Sequence, residues 1–124
     1  MKIIINGQFP TLNEVIKASK SHYMAYANQK KEFTQLTMIH VNRMPKIDFK
    51  AHYTFTWYRK NRRNDPDNVQ VGTKYIFDGL IKAGVLKNDG WNEVGGISHF
   101  FRTDKNNPRV EIEVHEFEQK TVSN

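Results

Sequence analysis

Ile47-Asp48-Phe49-Lys50-Ala51-His52-Tyr53-Thr54-Phe55-Thr56-Trp57-Tyr58 is the stretch whose reading decides the fold. Ile47, Phe49, Ala51, Tyr53, Phe55 and Trp57 alternate with Asp48, Lys50, His52, Thr54, Thr56 and Tyr58. A period of two places alternate side chains on opposite faces of a strand. The first set is apolar, so that face is expected to meet the core. The strand then runs into a charged loop, Arg59 to Asn64.

Upstream, Lys2 to Asn6 reads as a short β-branched strand closed by Gly7 and Pro10. Thr11-Leu12-Asn13-Glu14 matches a capping box, with a helix expected through about Ala18. Ser19 to His22 reads as loop or helix. A second helix is expected from Tyr26 to Asn42, with Phe33, Leu36 and His40 at helical spacing and Pro45 beyond its end. Downstream, Asp65-Pro66 can open a helix, because Asp is a favoured N-cap and Pro a favoured first residue. Val71, Tyr75, Phe77, Leu80 and Ile81 supply its apolar surface to about Ala83, with Gly84 as C-cap. Val94 to Arg102 and Arg109 to Phe117 read as strands around a turn at Asp104 to Pro108, and residues 118–124 are expected to fray. The order is strand, helices, strand, helix, strand, strand. It predicts one α/β or α+β domain over residues 1–124, a small mixed sheet with helices on one face.

A chain of 124 residues fits one domain and can bury a core without cross-links. No apolar run approaches the roughly 20 residues that span a bilayer. Met1-Lys2-Ile3-Ile4-Ile5 is too short for a signal peptide, and a cytoplasmic location is the expectation. The absence of cysteine excludes disulfides, Cys-based zinc sites and thiol catalysis. No phosphate-binding or dinucleotide glycine motif is present, and His22, His40, His52, His99 and His115 have no metal-ligand spacing.

The net charge is +6, but its distribution says more. Residues 1–63 hold 12 Lys and Arg against 3 Asp and Glu, whereas residues 64–124 hold 7 against 10. Arg59, Lys60, Arg62 and Arg63 lead directly into Asn64-Asp65-Pro66-Asp67-Asn68. Basic side chains neutralise a phosphate backbone, and carboxylates bind Mg²⁺ together with phosphate oxygens. A polyanion held beside a metal suits a nuclease. Each residue also has a plainer reading. Asp65 can be an N-cap, Asp67 a first-turn carboxylate favoured by the helix dipole, and Asn68 a solvated first-turn residue. Lys74 can pair with Asp78 at i,i+4 or stabilise phosphate charge. Asp89 sits in an Asn-Asp-Gly turn that a helix and short return can bring near a strand end. Trp91 is read as core rather than a base-stacking residue.

Three segments together tip the balance. Arg63-Asn64-Asp65-Pro66-Asp67-Asn68, Lys74-Tyr75-Ile76-Phe77-Asp78-Gly79-Leu80 and Lys82-Ala83-Gly84-Val85-Leu86-Lys87-Asn88-Asp89 follow in order. They resemble the RusA family of Holliday junction resolvases, the crossover junction endodeoxyribonucleases of phages and prophages. Pro10, Asn13 and the Asn107 to Glu111 strand extend the likeness over most of the chain. It is most specific in the middle third. The resemblance implies Asp65, Asp67 and Asp89 as metal-binding carboxylates for Mg²⁺ (or Mn²⁺), and Lys74 as the catalytic lysine. It implies branched DNA as substrate, a homodimer, and Arg59, Lys60, Arg62, Arg63, Asn68 and Asn13 as DNA contacts. Compared with the best-known members, the Asp67 to Phe77 interval is about one helical turn longer. Val71 or Lys74 then aligns with the family lysine, and Lys74 is taken because valine has no charge to offer. Three other readings stand beside this one: a nuclease acting on forks or flaps, a non-catalytic nucleic-acid-binding protein, and a module whose basic face meets an acidic protein.

Overall fold

The computed structural model describes residues 1–118. Four strands form one mixed sheet: β1 (Lys2–Asn6), β2 (Ala51–Arg59), β3 (Val94–Thr103) and β4 (Arg109–Glu116), in the order β1-β4-β2-β3. β4 runs antiparallel to both β1 and β2, and β3 runs parallel to β2. Four helices accompany it: α1 (Leu12–Ser21), α2 (Tyr23–Val41), α3 (Pro66–Val69) and α4 (Thr73–Lys82). The expected α+β layer architecture is the observed one.

Alternation decides which face is covered. Ile3 and Ile5 of β1, Tyr53, Phe55 and Trp57 of β2, and Val110, Ile112 and Val114 of β4 are all buried. The aromatic rings of that face meet the helices edge-on. Phe77 of α4 contacts Tyr53 at 5.0 Å and Phe55 at 6.0 Å between centroids, both close to perpendicular. This is a favoured aromatic geometry. The opposite face carries polar partners such as the Lys2–Glu111 ion pair.

The paired part of β2 begins at Ala51, four residues later than the apolar alternation begins. Ala51 pairs with Val94, the first residue of β3, and with Glu116, the last of β4. No partner strand remains for residues 47–50, and Ile47 instead bridges Leu86. Gly95 and Gly96 open β3 because a Cβ at either position would strike a ring, Phe117 over Gly95 and His52 over Gly96. A register shift at Ala51/His52 falls at the same place.

The capping box forms as expected: Glu14 N–H donates to Thr11 Oγ1 and Thr11 N–H to Glu14 Oε1. Ser19 to Ser21 are helical, and α2 starts at Tyr23 rather than Tyr26. His22 separates the two helices, its Nδ1 accepting the Met24 N–H at 3.1 Å. The single helix expected over residues 65–83 is broken by a 3₁₀ turn, Gln70–Gly72. Gly72 lies against Phe9 and Trp57 so closely that a Cβ would clash. α4 ends at Lys82 with Ala83 as C-cap, and Gly84, expected as the C-cap, follows one residue later with a φ of 75°, the left-handed conformation that glycine adopts without strain. Gly84 N–H donates to Ile81 O and Val85 N–H to Leu80 O, which closes the helix as a Schellman motif. Of the tail expected to fray, residues 119–124 lie outside the described residues.

Candidate active site and basic cleft

The parallel β2–β3 pair requires a long connection, and residues 60–93 supply it. This connection carries Asp65, Asp67, Asn68, Lys74 and Asp89. Asp65 occupies the N-cap of α3, yet its side chain makes no capping hydrogen bond. Its main-chain carbonyl accepts from Asn68 and Val69 instead. The capping explanation for this carboxylate therefore covers its backbone and leaves its side chain unused. Asp67 lies in the first turn of α3 and is exposed, and Asn68 beside it is half-buried.

Lys74 stands in the first turn of α4, with its Nζ 3.4 Å from Asp78 Oδ1 and 3.9 Å from Asp89 Oδ2. Both readings of Lys74 thus have a geometric basis: an i,i+4 pair along the helix, and a meeting with the carboxylate beyond it. Asp78 is the residue the sequence reading undervalued. Its Oδ2 is buried, lacks a hydrogen bond, and has Lys30 Nζ at 3.9 Å. A 3₁₀ turn, Gln70–Gly72, lies between Asp67 and Phe77. It places Val71 half-buried within the turn and Lys74 exposed just after it.

Carboxylate oxygens are the donors that a hard cation prefers, and Mg²⁺ usually combines one or two of them with waters and substrate phosphates. Among the described residues no three His, Asp or Glu side chains gather as a ready-made metal cage. The donor chemistry therefore fits Mg²⁺ completed by a phosphate, and does not fit an all-protein site.

The basic segment divides in two. Arg59 is drawn inward, its Nη1 donating to Phe9 O at 3.1 Å and its Nη2 to Asn64 Oδ1 at 3.5 Å. Burial lowers its pKa from the ordinary guanidinium value. Arg59 thus ties the loop to the body of the protein. Lys60, Arg62 and Arg63 are exposed. Asn13 is exposed on the first turn of α1.

A cleft of about 330 Å³ opens where β2 and β3 end, lined by Arg59, Arg62, Asn64 and Asp65 on one side and Phe101 and Arg102 on the other. Asp104 N–H donates to Arg59 O at 2.7 Å, which holds the two strand ends together. Phe101 and Arg102 were not singled out from sequence. The available signal was Phe100-Phe101, two successive aromatics where strand alternation calls for one apolar and one polar residue. Trp91, expected in the core, is instead 93% exposed, in the turn that precedes β3.

A cleft lined by Arg59, Arg62 and Arg102 together with Asp65, and a Lys74–Asp89 pair on the same connection, suit a protein that handles a phosphodiester backbone. The family model for Endodeoxyribonuclease RusA matches residues 11–115. The match covers most of the chain, and the protein belongs to this family of endodeoxyribonucleases. No curated protein matches it.

Proposed function

We propose that this protein is a Mg²⁺-dependent, structure-selective endonuclease that resolves four-way DNA junctions by phosphodiester hydrolysis in recombination and repair. One observation carries the reading beyond the family. Lys74 and Asp89, from separate segments of the matched region, approach to 3.9 Å on the same connection that presents the uncapped Asp65. Asp65, Asp67 and Asp89, which do not gather as a cage among the described residues, would offer oxygen donors to Mg²⁺ (Mn²⁺ being an alternative), one or two of them alongside water and substrate phosphate; when bound, the ion would polarise the phosphate and activate water. Asp78 holds Lys74 at the start of α4, where its ammonium can offset charge on the phosphate oxygens. Lys60, Arg62 and Arg63 attract the backbone, Asn68 and Asn13 contact it, and Arg59 contributes mainly by fixing the loop. A homodimer suits the substrate, since two related cuts fit two sites about a two-fold axis. A cytoplasmic location is part of this proposal; separately, no helix among the described residues is long and apolar enough to cross a membrane.

The test is cleavage of a synthetic four-way junction with and without Mg²⁺. Asp67→Asn is expected to abolish cutting while leaving junction binding in place. Cutting that persists in Asp67→Asn would remove the metal-site reading. A non-catalytic DNA-binding role is the second reading, since the exposed Lys60, Arg62 and Arg63 would serve it without a metal. It predicts binding without cleavage at any Mg²⁺ concentration. Parallel assays on forks, flaps and junctions distinguish junction resolution from broader branched-DNA cleavage.

A further inference from the structure

We infer that the cleft at the ends of β2 and β3 receives one unstacked nucleotide of the branched substrate, with Phe101 as its stacking platform. The inference rests on the junction-nuclease reading and adds the way the branch itself is sensed. At about 330 Å³ the cleft matches a single small ligand and is far too narrow for a duplex. Phe101 is 37% exposed at its wall. Behind it lies His99, stacked at 6.3 Å, and His99 in turn stacks against Phe55 and Trp57. The aromatic column holds the Phe101 ring in place.

A bare aromatic ring can stack only on a base whose own face is uncovered. Within a duplex both faces are taken by neighbours, whereas bases flanking a branch cost least to unstack. The remaining lining is rich in donors. Asn61 Oδ1 already accepts the Arg63 N–H at 3.0 Å, and Asn64 Oδ1 accepts from Arg59. Each amide is left with its NH₂ group, suited to base-edge acceptors. Arg62 and Arg102 are exposed for the flanking phosphates. Asp65 lines the same cleft, so a captured nucleotide lies next to one of the proposed metal ligands.

The test uses the full-length protein and four-way junctions carrying 2-aminopurine at the branch, with EDTA present to prevent cutting. Wild type is expected to raise the fluorescence at the branch. Phe101→Ala should abolish that rise and weaken junction binding about tenfold, the scale of one lost base stack, with duplex binding unchanged. Phe101→Leu should behave like Phe101→Ala, and Phe101→Trp like wild type, because a ring rather than apolar bulk is required. Unchanged fluorescence and affinity in Phe101→Ala, equal losses for junction and duplex, or full function in Phe101→Leu would each overturn the inference. Mg²⁺-dependent cleavage by wild type is measured in parallel. Its absence counts against the nuclease reading alone, and its presence with a silent Phe101→Ala counts against the cleft alone.

Discussion

Two buried tyrosines sit in opposite hydrogen-bonding situations. Tyr53 is fully buried and its hydroxyl has no partner, which pushes the phenol up to about 12 through loss of water. Tyr75 is also buried and is pushed up to about 12, but its hydroxyl donates to Gln29 Oε1 at 3.0 Å. An unpaired buried polar group costs about 1–3 kcal/mol. Tyr53→Phe is therefore expected to be neutral or to stabilise by about 1 kcal/mol, and Tyr75→Phe to destabilise by about 1 kcal/mol, as read by urea unfolding. Lys74 gives a residue-scale prediction about activity. Lys74→Ala should lower single-turnover junction cleavage by roughly 10²–10³, the usual cost of one removed charge-stabilising donor, with little change in folding stability. Its two ion pairs are largely solvent-exposed on the lysine side, where such pairs contribute little. The identity of these residues was legible in the chain. Their meeting was not, because the Lys74–Asp89 approach depends on how α4 closes at Gly84.

Helix packing turns on a glycine. A Cβ on Gly79 would collide with the Thr37 side chain and lie 2.9 Å from the Thr34 carbonyl, so α4 and α2 approach to within the reach of a single methyl group. Gly79→Ala is expected to destabilise by about 1–3 kcal/mol in denaturant unfolding, although alanine is the better helix former. The glycine in the Phe77-Asp78-Gly79-Leu80 segment is thus accounted for by packing. On the sheet side, Trp57 Nε1–H donates to His99 Nδ1 at 3.0 Å, and burial lowers the His99 pKa. A protonated Nδ1 cannot accept that bond. Because the folded value is depressed, the unfolded chain takes up the proton first. The stability tied to neutral His99 is whole above about pH 6.5 and is lost as pH falls through the lowered value. The thermal midpoint should fall between about pH 7 and pH 5, and less steeply in His99→Phe. Strand and helix identity followed from periodicity. Boundaries did not, since β2 starts where β3 begins and β4 ends, and the helix after Asp65 breaks where Gly72 meets Trp57 and Phe9.

Across the whole molecule, charge and topology pull the same way. The basic excess of residues 1–63 ends at the loop that leaves β2, next to the carboxylates of the second half. Junction affinity is expected to fall linearly on a log–log plot against salt, and Lys60→Ala with Arg63→Ala should reduce the slope by about two. A flat salt dependence would point away from phosphate contacts. The mixed sheet was legible from the order of elements, but its strand order was not, because pairing between β2 and β4 is set by contacts distant in sequence. The cleft was the least visible feature, since Arg62 and Phe101 come to line one cleft only when the parallel strands end side by side. That parallel pairing has a further consequence. Every carboxylate proposed for the metal, and the lysine beside them, lies on one uninterrupted stretch between two adjacent strands. Residues 60–93 therefore carry every group proposed for cutting, while Phe101 belongs to the sheet; because Gly72 and Gly79 key that stretch to Trp57 and Thr37, moving it into a relative of this chain would mean moving those partners with it.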